Sequence, residues 1–243
     1  MAQPAEAPAT PGASASEGKV LAPSPLALEK EVRDAGLTAG LAGLVPTRTF
    51  ATDVDDKDRV ALRTGVVLSY TVLAGRVSPK PLFLDQLRSI RVGMTTLGTG
   101  KGLLATIDTF IQNIQNDTAS REDFLQELDA VASSMIVEEG WGAGDRTGPL
   151  LQAGAWLAGT NLVAAAIVAA DSPAAAEKLL RKAYVAEYFL GYLEGEGASK
   201  AGPTTSTVVE TLRTLQSVAN KPTLAVTDAQ AVVAATETLL GTL

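Results

Sequence analysis

The sequence predicts an all-α protein: a single helical bundle-like domain of eight or nine helices around a central apolar helix, with a disordered N-terminal tail. Three observations carry that prediction. Apolar residues recur at helical spacing in one segment after another. No segment shows period-two alternation bounded by hairpin turns. The breaks between segments carry cap, proline and glycine signals. No longer period repeats along the chain, so a solenoid is not expected.

Residues 1–23 are mostly Ala, Pro, Ser and Gly, with almost nothing large to bury. Such a segment cannot offset its ordering entropy and is expected to be a flexible tether, leaving residues 24–243 as the folded domain. Ser24 and Pro25 supply an N-cap and a first-turn proline for a segment toward Leu44, which Gly36, Gly40 and Gly43 should interrupt. Asp53, Asp55, Asp56 and Asp58 place negative charge at the start of a helix to about Val77, whose apolar stripe is Leu62, Val66, Tyr70 and Leu73. Ser78 and Pro79 repeat the cap-and-proline pattern for a helix to about Leu97.

Gly98, Gly100 and Gly102 form the next break. Leu104, Ile107, Ile111 and Ile114 mark a helix to Asn116. Ser120 with Asp123 makes a variant capping box before Phe124, Leu128, Val131 and Met135. Gly140, Gly142 and Gly144 around Trp141 end that helix. An uncharged stretch from Thr147 to Ala170 follows. Asp171, Ser172 and Pro173 then open one helix carrying Leu179, Leu180, Val185, Phe189 and Leu193. After a loop from Gly195 to Pro203, two helices finish the chain. Val208, Leu212, Leu215 and Ala219 mark the first, and Val232, Ala235 and Leu239 the second.

Composition removes whole classes of function. The chain has 243 residues, no Cys and no His, which excludes Cys/His zinc sites, disulfides, thiol nucleophiles and His-dependent triads. With 20 Lys and Arg against 27 Asp and Glu, it lacks the basic footprint that nucleic-acid binding requires. Gly98, Gly100, Lys101 and Gly102 do not make a phosphate loop. The glycine spacing fails, Lys101 is followed by Gly102 rather than Ser or Thr, and no strand precedes them. The acids from Asp53 to Asp58 lack the calcium-loop pattern, because Lys57 takes the fifth position, Asp58 the sixth and Thr64 the twelfth. Glu138 and Glu139, with Asp145 and Arg146 nearby, are sequence neighbours at a helix end rather than a catalytic dyad. No catalytic residue, cofactor or metal is therefore expected.

The segment from Pro149 to Ala170 is long enough to cross a bilayer. Trp156, Val163 and Ile167 share one side, Leu157 and Val168 a second, and Leu151 and Leu162 a third. A helix apolar all round is a core helix or a membrane span. The charged, amphipathic character of the other segments favours the core helix, so no membrane span is expected. Gln152 and Asn161 then sit among apolar neighbours, where each either bonds an adjacent helix or, with Trp156, orients a ligand's polar head.

Three stretches resemble segments of uncharacterised all-helical bacterial envelope or lipoprotein-type proteins: residues 65–70 (GVVLSY), residues 148–159 (GPLLQAGAWLAG) and residues 113–116 (NIQN). The resemblance spans roughly residues 50–240 and implies a helical fold and export, with no activity attached. Ala2, Gln3 and Pro4 after Met1 also look like the start of a mature exported chain, with a lipid tether through the missing N-terminus. The expected function is a non-catalytic scaffold or interaction protein of the bacterial cell envelope, periplasmic or envelope-bound, with a protein partner or a second copy. The alternative is a periplasmic protein that holds a small apolar ligand, lipid- or quinone-like, between its helices through Gln152, Trp156 and Asn161.

Overall fold

A computed structural model describes residues 22–37, 40–47, 50–52, 54–134, 146–194 and 202–243. Among them are ten α-helices, one short 3-10 turn and no strand. The helices are α1 (Pro25–Asp34), α2 (Lys57–Ala74), α3 (Lys80–Leu97), α4 (Lys101–Gln115), α5 (Arg121–Ser134), α6 (Thr147–Ala169), α7 (Pro173–Leu179), α8 (Ala183–Glu194), α9 (Pro203–Ala219) and α10 (Val226–Thr242). The expected tail up to residue 21 lies outside the described residues, as do Asp53, Met135, Glu138, Glu139, Trp141, Asp145 and the loop 195–201.

Most helix ends form where the cap chemistry indicated. Ser24 Oγ accepts from the Ala27 amide to open α1, and Asp56 Oδ1 accepts from the Asp58 and Arg59 amides to open α2. Gly98 closes α3 in the left-handed region, at φ +80°. Ser120 Oγ accepts from the Asp123 amide before α5, and Ser172 Oγ from the Ala175 amide before α7.

Two expectations need correction. The helix count is ten because the segment expected as one helix after Pro173 is two, α7 and α8, separated at Leu180, Arg181 and Lys182. No glycine or proline marks that break. The Arg181 guanidinium instead donates to the carbonyls of Ala219, Lys221 and Pro222 at the end of α9, so a long-range clamp sits where the chain turns. Ser78, likewise, does not cap α3. The N-cap is Pro79, Pro81 sits in the first turn, and the Ser78 carbonyl is taken by Arg121.

The core is built on two helices that run side by side in the same direction. Asp58 pairs with Arg146 where α2 and α6 begin, Leu62 faces Gly154, and Ser69 approaches Gly159 further along. Backbone meets backbone at the crossing: a Cβ on Gly65 would lie 1.9 Å from the Leu151 carbonyl oxygen, and one on Gly154 2.3 Å from that of Leu62. Only glycine permits that approach. Sequence periodicity had made α6 the one central helix, yet α2 is buried almost all round, Arg63 excepted between Val60 and Gly75. Its Thr64 and Thr71 hydroxyls donate back to the Val60 and Val67 carbonyls, which lets polar residues stay inside.

The other helices wrap this pair. α3 lies against α2 with α4 outside it, while α10, α9 and α8 follow on the α6 side. α1 bridges α2, α5, α6 and α7. By length and composition α6 could cross a membrane, but 89% of its most apolar window is buried among other helices.

Candidate functional site

Residues 40–47 and 50–52, between α1 and α2, form a strap over α2 and α3. Leu41 is fully buried, the 3-10 turn Ala42–Leu44 follows, and Phe50 returns to the core. Two bonds fasten its far end. The Thr52 hydroxyl donates to the Ser89 carbonyl (2.8 Å), and Arg63 donates to the Ala51 carbonyl (2.7 Å). Between these anchorages the strap does not close down on the helices. It leaves a cleft of about 220 Å³.

The walls of the cleft are mainly apolar. Val45, Pro46 and Phe50 come from the strap, Val67, Tyr70, Ala74 and Val77 from the end of α2 and its turn, and Leu82 from α3. The Phe50 and Tyr70 rings are 6.4 Å apart and tilted by 40°, giving two aromatic faces at one end. Polar side chains reach the lining from α3 (Asp85, Gln86 and Ser89) and from Thr47, Tyr70 and Ser78. Asp85 is exposed at the mouth and pairs with Arg88 (2.8 Å), and Ser89 Oγ donates to the Asp85 carbonyl (3.0 Å). Gln86 differs. Its Oε1 is shut off from solvent and has no hydrogen-bond partner among the described residues. Such an arrangement, apolar walls with few polar groups among them, holds a small molecule by shape and orients it by one or two hydrogen bonds.

The three residues singled out from sequence lie elsewhere, on α6. Trp156 is buried 5.8 Å from the Phe189 ring and lines, with Thr160, Val163 and Lys182, a gap of about 20 Å³. That volume suits roughly one water molecule. Asn161 donates to the Thr236 hydroxyl of α10 at 2.8 Å, an inter-helix bond. Gln152 is buried, and its Nε2 has no partner among the described residues. The structure thus brings Trp156 to a small gap and turns Asn161 into a tie between helices, and none of the three lines the larger cleft.

Sequence reasoning missed the cleft because its residues come from three separate segments. One signal was present: Val45, Pro46 and Phe50 are apolar residues in a stretch with no helical period. A non-helical apolar run must bury itself on something.

Elsewhere several ionisable groups are tied into the frame. Arg76 bridges Glu29 and Glu122, and Arg76 holds the Glu122 carboxyl below the ordinary glutamate range. Lys221 and the Ala225 amide do the same for Asp228. Asp129, half-buried, is shifted up by burial although the Leu26 amide and Ser24 hydroxyl donate to it. Among the described residues no three His, Cys, Asp or Glu side chains converge to hold a metal ion.

Fold and site together define an all-helical protein with a strap-covered apolar cleft. No family model matches the chain, and no curated protein or solved structure matches it either.

Proposed function

We propose that this protein binds a small, largely apolar molecule in the strap cleft and acts by holding that molecule rather than transforming it. The observation that carries the reading is the cleft itself, about 220 Å³ with mainly aromatic and aliphatic walls and a few polar side chains among them. An engineered apolar cavity of about 150 Å³ accepts benzene, so this space suits a group of roughly nine non-hydrogen atoms. A longer molecule would project through the mouth. The tether-like composition of residues 1–23 supports placing this activity in the cell envelope.

The experiment is native mass spectrometry of protein purified from its own host, compared with an Ala74→Phe variant. Ala74 is buried on the cleft wall, and a phenyl group there takes up the space without removing a polar contact. Wild-type protein is expected to carry an added mass that the variant lacks. An adduct that survives in the variant would move the site away from the cleft.

A second reading, a non-catalytic scaffold that grips a protein partner or another copy, is favoured by one observation on α8. Tyr184, Tyr188 and Tyr192 repeat at four-residue spacing, the outer two are 45% and 52% exposed, and Tyr188 and Tyr192 meet edge-to-face at 5.1 Å. Tyrosines presented this way are common at interfaces. Sedimentation of a Tyr192→Ser variant tests it. A change in assembly state favours the scaffold, and no change leaves the cleft as the functional feature.

A further inference from the structure

The residues lining the strap cleft give it a direction as well as a volume. On α2 they include Val67, Tyr70 and Ala74, one stripe at helical spacing that covers about 10 Å. On α3 Leu82, Asp85 and Ser89 cover about the same length. The two helices run antiparallel, because Gly75 meets the Phe83 ring and Gly93 the Thr64 side chain. Val67 and Ser89 therefore stand at one end, and the turn from Val77 to Pro79 at the other. A volume of about 220 Å³ laid out in this way is a groove rather than a round chamber.

Its two ends differ. Phe50, Val67 and Tyr70 are buried, and the bonds from Thr52 to Ser89 and from Arg63 to Ala51 fasten the strap there. At the turn, Val77 is 69% exposed, more than any other large apolar side chain among the described residues. It lines the groove all the same. A valine placed there keeps apolar surface in water that a ligand emerging from the groove would cover.

We infer that the groove takes a single unbranched alkyl or acyl chain, its methyl end toward Phe50 and Val67, leaving past Val77 with its polar head in water. This inference rests on the binding function proposed above and narrows it to a chain rather than a compact ring system. An extended chain advances about 1.25 Å per carbon, so about eight carbons fill the length between Val67 and Ala74. The next few lie against Val77 on one side only. Each enclosed methylene leaves water completely, whereas those on Val77 stay partly wet and add less. A compact molecule with the same number of carbons cannot use both parts of the groove.

Isothermal titration of the full chain with hexanol, octanol, decanol and dodecanol tests this, with 1-adamantanol as the compact counterpart of decanol at equal carbon count. Affinity is expected to rise about fourfold per methylene up to octanol, and by a smaller factor per methylene from octanol to dodecanol. Decanol should bind about tenfold more tightly than 1-adamantanol, or better. Val77→Ser changes an exposed side chain and leaves the core intact, with circular dichroism reporting that it folds. It should flatten the rise beyond octanol and leave hexanol affinity unchanged. A compact alcohol that binds as tightly as decanol, or an affinity that stops rising at hexanol, overturns the inference while leaving the cleft as a binding site. So does a rise beyond octanol that Val77→Ser does not alter. If neither the chain alcohols nor 1-adamantanol bind, the binding function itself fails and the inference goes with it.

Discussion

Replacing Gly65 by alanine adds one methyl group at the closest point between α2 and α6. That methyl carbon would lie 1.9 Å from the Leu151 carbonyl oxygen and 2.8 Å from the Ala155 amide nitrogen, where ordinary contact begins at 3.4 Å. Both obstructing atoms are backbone of a buried helix, so no side chain can swing aside. One helix must move by more than an ångström, and the packing between them is lost along the crossing. Overpacking of this kind costs about 1–3 kcal/mol and occasionally more. Alanine returns about 1 kcal/mol of helix propensity over glycine. With a clash this deep the net is a loss of about 2 kcal/mol or more. Gly191 supplies the control. It lies within α8, and a methyl carbon added there would meet nothing within 4 Å, so Gly191→Ala should gain up to about 1 kcal/mol. The two variants carry the same chemical change with opposite sign, and their urea midpoints should differ by about 1 M. Gly154→Ala, on the facing helix, should resemble Gly65→Ala. A Gly65→Ala protein as stable as the parent would refute the backbone-to-backbone crossing and the parallel pairing built on it.

Asn161→Leu should lower unfolding stability by about 1–2 kcal/mol through loss of the bond to Thr236, without altering ligand affinity in the cleft, as denaturation and titration would show. Arg181→Ala should cost roughly 1–3 kcal/mol because three carbonyls at the end of α9 lose their donor. Arg181→Lys should fail to restore that loss, since one ammonium cannot reproduce the forked contact; full rescue would contradict the clamp. Acid should destabilise the fold through Glu122 and Asp228. Their folded pKa values lie below the ordinary 4.5 and 3.8, so their stabilisation is complete above those values and is lost as pH falls through the folded ones. Asp129, shifted up by burial, works in the opposite direction: its contribution is present below 3.8 and fades as pH rises through its folded value. Unfolding followed from pH 6 to pH 2 should therefore show the loss concentrated below about pH 4.5, and Arg76→Gln should reduce it.

Helix class and most helix starts were legible because caps are local. Ser24 before Pro25, Asp56 before Lys57, and Ser172 before Pro173 each satisfy amides within three residues of themselves. The break between α7 and α8 was not legible, because Arg181 is held by carbonyls about forty residues away. The burial of α2 was only half legible. Only Leu62, Val66, Tyr70 and Leu73 read as its apolar stripe, and only the structure shows the buried Thr64 and Thr71 hydroxyls bonding within their own helix. Placing candidate ligand contacts on Gln152, Trp156 and Asn161 followed from the rule that a polar group inside an apolar helix needs a partner. For Asn161 that partner is Thr236 of α10. The cleft depends on Val45, Pro46, Thr47 and Phe50 lying over helix surfaces distant in sequence, with Leu41 buried and Thr52 bonded to Ser89, a geometry that no local pattern encodes.

Occupation of the space between the strap, α2 and α3 by a small apolar molecule is tested most directly by methyl-resolved NMR during titration with phenethyl alcohol. The cleft and the gap beside Trp156 carry different methyl groups, so the spectrum tells the two apart. The methyls of Val45, Val67, Ala74, Val77 and Leu82 should shift together and saturate, while those of Val163, Leu215 and Val232 stay in place. Shifts centred on Val163, Leu215 and Val232, or none at saturating ligand, would contradict binding in the cleft.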